Sequence, residues 1–233
     1  MKIDCISDLH GYLPKLPGGD LLIIAGDLTR SDELDEYLRF FYWLRKQKYV
    51  KKVLIGGNHD VLLDTGIPYP VFCELENAKC DYLLDSGTEF VYYPPLDLDK
   101  PEVFRQKLKI WGSPWTLSFK GEKPNCLAFT KPTEAELAEK FALIPDDTNI
   151  LVTHSPPFEI LDEVQRGDKI VSVGSKSLST KIEHLPNLKL HVFGHIHEGY
   201  GTTQVGECEI PFVNASFVDE HYHPCHEPIG VEL

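Results

Sequence analysis

Asp8 and His10 stand two residues apart in the tetrapeptide SDLH. Asp27 lies in GDLT, Asn58, His59 and Asp60 in GNHD, His154 in HSPP, and His195 and His197 in GHIH. At an extended strand end, residues two apart project the same way, so Asp8 and His10 can reach one ion. Asp27 adds a second carboxylate and Asn58 an amide oxygen. His154, His195 and His197 add imidazole nitrogens. These seven nitrogen and oxygen donors, with no thiolate among them, suit two borderline divalent cations such as Mn, Fe, Co, Ni or Zn. Two cations ~3.5–4 Å apart need an anion between them. Asp27, in a tight Gly-Asp turn, is the best candidate for that bridge.

Each cluster follows a short apolar, β-branched run, at 3–6, 21–25, 53–55, 150–153 and 190–193; a sixth run lies at 109–111. Such runs are too short for helices and read as buried strands of a layered α/β sheet. In open α/β sheets ligands bind outside the carboxyl ends of the strands, so the five clusters are expected on one rim. Singly they say little, because an Asp-x-His pair recurs by chance and a Gly-Asp turn is usually only a turn. Their joint occurrence at five strand ends carries the reading. Between the runs, Ser31 or Asp32 can cap a helix with the apolar stripe Leu34, Tyr37, Leu38, Phe41 and Leu44. Thr133 and Glu136 form a capping box, and Ser175 can cap a helix reaching about His184. The stretch 93–101, with three prolines, reads as a loop. Loop 94–100 and segment 116–130 are expected to shape the pocket. No shift of composition marks a linker, so residues 1–233 are read as one domain, with 219–233 a C-terminal tail.

Composition narrows the partners. Of 233 residues, 42% are apolar and 25% charged, an ordinary globular balance. Acids number 36 and bases 23, a formal charge of −13. That field argues against a general binder of long nucleic acid or acidic membrane, and admits a small anion only where local cations overcome it. No apolar run approaches the ~20 residues of a membrane span. The start MKIDCISD places Asp4 and Asp8 where a signal peptide would be apolar, so a cytoplasmic protein is expected. The six cysteines lack the density of a disulfide scaffold and read as reduced thiols, Cys5 buried.

The ordered set SDLH, GDL, GNHD, TH and GHIH resembles the calcineurin-like metallophosphoesterase superfamily. The chain is more closely similar to its small metallophosphoesterase-domain (MPPED-type) branch. That likeness is carried by GSPW at 112–115, THSPP at 153–157, LD at 161–162, RG at 166–167, VGS at 173–175, LKLHVFGHIHEGYG at 188–201 and VNAS at 213–216. It covers about residues 1–217. Ser155 departs from the HGPP more usual in the branch. Some members lose a ligand in the last motif, whereas His195 and His197 are both present here.

The resemblance implies a four-layer αββα sandwich of mixed sheets with the metals at the strand carboxyl ends. It assigns Asp8, His10, Asp27 and His197 to one metal and Asp27, Asn58, His154 and His195 to the other, manganese being the favoured ion. It makes His59 the substrate-facing catalytic imidazole, with Asp60 beside it. The implied chemistry is attack of a metal-bridging hydroxide on phosphorus, in line with the leaving oxygen. His59 would then protonate the leaving alkoxide or hydrogen-bond the phosphoryl oxygen, with Asp60 orienting it and keeping it charged. The favoured substrates are small phosphate diesters, above all cyclic nucleotides. A phosphomonoesterase or protein phosphatase, and a nucleotide-binding module without turnover, are the competing readings. Trp115 is either a wall of the core or a ring that stacks on a nucleobase. Gly174 and Ser175 either cap a helix or offer its amides to phosphate. His184 and His191 are read as structural or exposed. The cluster His221, His223, Cys225 and His226 is either a polar tail or a separate transition-metal site.

Overall fold

The computed structural model describes residues 1–93, 105–118, 126–205 and 210–233. Loop 94–100, part of segment 116–130, and Cys208 therefore lie outside the described residues. Chain order runs β1 (Lys2–Ile6), β2 (Gly19–Ala25), α1 (Leu34–Arg45), β3 (Tyr49–Ile55), α2 (Val61–Thr65), α3 (Tyr69–Ala78), β4 (Asp81–Tyr82), β5 (Ser86–Tyr92) and β6 (Gln106–Ser113). There follow β7 (Thr116–Leu117), β8 (Thr130–Lys131), α4 (Glu134–Phe141), β9 (Ile150–Thr153), β10 (Glu163–Arg166), β11 (Lys169–Ser172), α5 (Lys176–Ile182), β12 (Leu190–Phe193), β13 (Gly201–Val205), β14 (Ile210–Asn214) and β15 (Ile229–Glu232). All six apolar runs of the sequence lie in strands.

Two mixed sheets stack face to face. One has the order β15-β1-β2-β3-β4 and the other β13-β14-β12-β9-β6-β5. In the first, β1 to β4 are parallel and β15 is antiparallel. In the second, β6, β9, β12 and β14 are parallel between the antiparallel edges β5 and β13. Strands of the parallel cores are apolar on both faces, because each face is covered. Ile3, Leu21, Ile23 and Val53 face Leu108, Ile110, Val152 and Val192 across the sheet-to-sheet interior. On the outer face of the first sheet, Ile6, Leu22, Ile24 and Leu54 pack against Tyr37, Phe41 and Leu44 of α1 and Val71 and Leu75 of α3. On the outer face of the second, Leu151, Phe193 and Phe212 pack against Leu137 and Phe141 of α4 and Leu178 of α5. The architecture is the αββα sandwich. Each large side chain buried there contributes about 1.5–3 kcal/mol.

Local signals were uneven. Thr133 and Glu136 do cap α4, with Glu136 N donating to Thr133 Oγ1 at 3.2 Å, and Ser175 caps α5. Neither Ser31 nor Asp32 caps α1. Its N-cap is Glu33 without a side-chain bond. Asp32 instead accepts from Tyr37 Oη at 2.7 Å and Leu62 N at 3.0 Å, tying α1 to α2. Lys52, buried in β3, donates to Leu44 O and Ala78 O at the carboxyl ends of α1 and α3. A cation there satisfies carbonyls that have no helical partner. In the C-terminal segment 219–233, β15 extends the first sheet beside β1. Among the described cysteines no disulfide forms.

His191 is fully buried in β12 between Phe193 and Phe212. Thr153 Oγ1 donates to Ser155 O, so His191 Nε2 donates to Thr153 Oγ1 at 2.8 Å. Its Nδ1 then has no hydrogen-bond partner among the described residues. Burial therefore pushes the imidazole pKa down to about 3. The unfolded chain binds this proton below about pH 6.5 and the folded chain does not, so stability falls as pH drops from about 6.5 towards 3. Urea denaturation at pH 7 and pH 5 should show a smaller difference for His191→Gln than for the unsubstituted protein. Equal differences would show that His191 contributes nothing to acid lability.

Candidate metal centre

The carboxyl ends of β1, β2, β3, β9 and β12 meet on one rim. A bridge between Ser7 and Ser216 joins the two sheets there, with Ser7 N donating to Ala215 O at 2.8 Å. Asp8, His10, Asp27 and His195 all have φ between 41° and 70°. Left-handed backbone is uncommon outside glycine, although Asp and His tolerate it better than most. Such conformations persist where the surroundings over-determine them, and they cluster at functional sites. Gly57 and Gly194 leave room for the approach. A Cβ on Gly57 would meet Asp27 Oδ1 at 2.2 Å, and one on Gly194 would meet Asp8 Oδ2 at 2.1 Å.

The seven expected donors are brought together and buried, except His195, which is half-buried. Ligand atoms of Asp8, His10 and His197 lie within 4.8 Å of one another, as do those of Asp8, Asp27 and His154. A third such group is His10, Asp27 and His59. Asp27 Oδ2 stands 3.4 Å from His154 Nε2 and 3.6 Å from His10 Nε2, a central position. Asn58 Oδ1 lies 3.0 Å from His154 Nε2 and 2.9 Å from His195 Nδ1. His197 Nε2 is 3.4 Å from Asp8 Oδ1.

Outer hydrogen bonds aim these groups. His154 Nδ1 donates to Ala25 O at 2.8 Å and His197 Nδ1 to Asp219 O at 2.9 Å, which turns both Nε2 atoms inward. Asn58 Nδ2 donates to Cys126 O, fixing its oxygen towards the histidines. Ser216 Oγ donates to Asp8 Oδ2 at 2.7 Å, and Asn214 Nδ2 holds the Ile196 carbonyl between His195 and His197. Ser216 and Asn214 belong to the VNAS segment, for which residue type alone suggested no role. Such outer partners set the orientation and basicity of metal ligands.

Charge follows from this geometry. Burial alone would raise Asp8, but the His197 imidazole bound to it and its neighbour His154 hold it well below the usual carboxylate range. Asp27 is held low against burial by His154 and His59. Burial lowers His10 to about 4, and burial with His154 lowers His195 to about 3. Burial would also lower His154, yet Asp27 and Asp8 hold it at about 9. Two anionic carboxylates, four imidazoles and an amide oxygen form a donor set suited to divalent cations, with His154 giving up its proton when a cation takes its place beside Asp27. His10 Nε2 is buried with no hydrogen-bond partner among the described residues, as a nitrogen awaiting a cation would be. The residues present therefore fit two metal ions.

Asp60 makes other contacts than expected, while Trp115, Gly174 and Ser175 take the packing and capping alternatives. Asp60 does not orient the His59 ring. Its fully buried carboxyl group accepts from Gly57 N and Leu28 N, with Tyr37 Oη 3.2 Å away, so it braces the Asp27 and Asn58 loops against each other. Burial and the nearby Asp27 raise its pKa to about 8. The His59 ring instead meets Cys126, with Sγ 3.8 Å from Nδ1, while His59 N donates to Asp27 Oδ1 at 2.9 Å. Trp115 is committed elsewhere: Nε1 donates to Asp85 at 2.8 Å, and the Lys131 and Lys140 ammonium groups lie over its ring at 4.3 and 4.0 Å. It does not line the cleft. Gly174 N donates to Asp162 Oδ2, and the Glu134 carboxylate takes the Ser175 hydroxyl and the amides of Lys176 and Ser177. The amino end of α5 is thus already neutralised by a side chain of α4, which leaves no phosphate site there.

A cleft of about 290 Å³ opens over the metal rim, lined by Asp27, Asn58, His59, Cys126, His195, His197, Glu198, Glu220 and Tyr222. Cys126 belongs to segment 116–130, expected to shape the pocket, whereas sequence reasoning missed Glu198, Glu220 and Tyr222. Only the HYHPCH cluster drew notice to the last region. His221 and His223 there are exposed, and among the described residues no group of metal-binding side chains forms around them. His226 stacks on Tyr200 at 3.9 Å and bonds Ser216 O. The segment is a wall of the cleft.

The family profile described as calcineurin-like phosphoesterase matches residues 1–199. Metallophosphoesterase domain-containing protein 1 of Homo sapiens is 34% identical over 241 residues, spanning 98% of this chain and 70% of that protein. The UPF0046 protein T07D4.2 of Caenorhabditis elegans is 31% identical over 252 residues, spanning 100% of this chain and 60% of that protein. The crystal structure of TT1561 of Thermus thermophilus superposes with a TM-score of 0.54 at 16% identity, over 91% of this chain and 88% of that one. The last likeness shows the fold alone. No helix of the described residues is long and apolar enough to cross a membrane. The profile match and the relatives aligned along nearly the whole length settle the kinship: this chain belongs to the calcineurin-like phosphoesterase family of metal-dependent phosphoester hydrolases.

Proposed function

We propose that this chain hydrolyses small phosphate diesters, with cyclic nucleotides the favoured substrates and manganese the favoured metal. Asp8, His10, Asp27 and His197 would hold one ion, and Asp27, Asn58, His154 and His195 the other. Two such ions, when bound, supply Lewis acidity to the phosphoryl group and a nucleophile at neutral pH. Asp27 sets the spacing of the two halves and also fixes His59 through its backbone N–H. His59 faces the cleft and can deliver a proton to the leaving oxygen. Asp60 keeps the two loops in register but touches no substrate. The acidic surface, at −13, argues against long nucleic acid.

The observation that carries the diester reading is the charge of the rim. Glu198 and Glu220 line the cleft, and no lysine or arginine does so among the described residues. A monoester dianion meets this rim with one more negative charge than a diester monoanion. At a separation of ~8 Å in water, two such repulsions favour the diester by about fivefold. The metal-loaded protein should therefore show kcat/KM for bis-p-nitrophenyl phosphate above that for p-nitrophenyl phosphate, by up to about fivefold at low salt. Added salt should narrow the gap. A monoester preference would overturn the diester reading. Tight nucleotide binding without turnover on any metal would instead make the chain a binding module. A panel of 2′,3′- and 3′,5′-cyclic nucleotides tests the substrate class directly.

A further inference from the structure

Tyr222 is supplied by the C-terminal segment, outside every motif of the metal rim. It is 44% exposed and still lines the cleft. Its ring lies edge-on to three imidazoles, with centroids 4.7 Å from His10, 5.3 Å from His197 and 6.0 Å from His59. The turn that carries it is pinned at several points. Asp219 Oδ1 accepts from His221 N and His223 N, and Asp219 N donates to His223 O. Asp219 O takes both Tyr222 N and His197 Nδ1, so the turn is tied to a candidate metal ligand. Tyr222 itself has φ of 63°. For a bulky residue that conformation is an outlier, kept where surrounding contacts over-determine it. Its phenol oxygen makes no hydrogen bond among the described residues. The fold thus spends strain to hold a half-open aromatic ring beside the reacting centre, while Trp115, the aromatic residue that the sequence suggested, is occupied by Asp85 and two lysines.

We propose that Tyr222 is a substrate-binding residue that seats the organic part of the phosphoester, taking a planar aryl or nucleobase group against its ring next to His59. This rests on the reading of the cleft as a phosphoester site. Glu198 and Glu220, the two glutamates of the lining, offer no apolar surface to such a group. A ring contact of this kind is worth about three- to tenfold in affinity. It discriminates by the shape of the ester group and leaves the grip on the phosphoryl oxygens to the metal rim.

The test compares two non-hydrolysable probes with one head group. Methylphosphonate and phenylphosphonate are titrated calorimetrically into the full-length manganese-loaded protein, with bound metal measured in each preparation. The unsubstituted protein should bind phenylphosphonate about three- to tenfold more tightly. Tyr222→Phe keeps that ratio. Tyr222→Ala brings it to about one, with methylphosphonate affinity and metal content within about twofold of the parent. Tyr222→Leu, which preserves bulk in the turn, should also lower the ratio and serves where the alanine variant does not fold. An unchanged ratio in Tyr222→Ala or Tyr222→Leu, or an equal loss for both probes together with lost metal, overturns the proposal. Methylphosphonate binding without any phenyl preference in the parent overturns it alone. Failure of the parent to bind either probe instead strikes the phosphoester reading, and the proposal with it.

Discussion

Asp27→Ala is expected to strip most of the bound metal and to lower phosphoester turnover by about 10³-fold or more. The reason is its central position. One oxygen faces His154 at 3.4 Å and His10 at 3.6 Å, and the other accepts the His59 amide at 2.9 Å. Removing the carboxylate leaves buried imidazoles around a space with no anion to screen two cations from each other. Asp27→Asn separates charge from shape. It keeps an acceptor for His59 N while losing the negative charge, so it should fold as well as the parent and still lose metal. The measurement is metal per chain after exhaustive dialysis, beside kcat for bis-p-nitrophenyl phosphate. Parental metal content in both variants would remove Asp27 from the bridge.

His59→Ala is expected to lower turnover by ~10²–10⁴-fold with metal content intact. His59 lines the cleft, its Nε2 4.0 Å from Asp27 Oδ2 and its Nδ1 3.8 Å from Cys126 Sγ. It therefore sits beside the metal rim with a ring nitrogen available to a substrate. A proton donor matters most when the leaving oxygen is basic. The deficit should be larger for a cyclic nucleotide, which leaves as an alkoxide, than for a p-nitrophenyl ester, which leaves as a stabilised phenolate. A deficit independent of the leaving group would assign His59 to phosphoryl binding, and parental turnover would deny it either part. Asp60 gives the contrast. Its bonds to Gly57 N and Leu28 N make it a brace of the rim, so its loss should move metal affinity and stability together.

The sheets and the converging donors were legible in the residues, and for a physical reason. Buried parallel strands need apolar side chains on both faces, so 21–25, 150–153 and 190–193 announce themselves without any knowledge of their neighbours. Polar, ligand-type residues placed directly after such runs must emerge at the strand ends, because the chain has nowhere else to put them. That logic sufficed to gather Asp8, His10, Asp27, Asn58, His154, His195 and His197 at one rim. It failed for the edge strands β5, β13 and β15, whose half-exposed patterns resemble loops, and for α3, which no capping motif marks.

What only the tertiary structure decided was the partner of each polar group. Asp60 follows His59 in the chain, yet its carboxyl group accepts from Leu28 N while the His59 ring meets Cys126. Ser175 and Gly174 look like an anion site until Glu134, 41 residues from Ser175, occupies the helix end. Trp115 looks free until Asp85 and two lysines close on it. Tyr222 has no motif at all and reaches the cleft only because β15 returns to β1 and draws its segment across the rim. Residue type and local period determine which chemistry a chain can carry. Contacts between distant residues depend on packing and chain closure, so they alone determine which groups remain available to perform it.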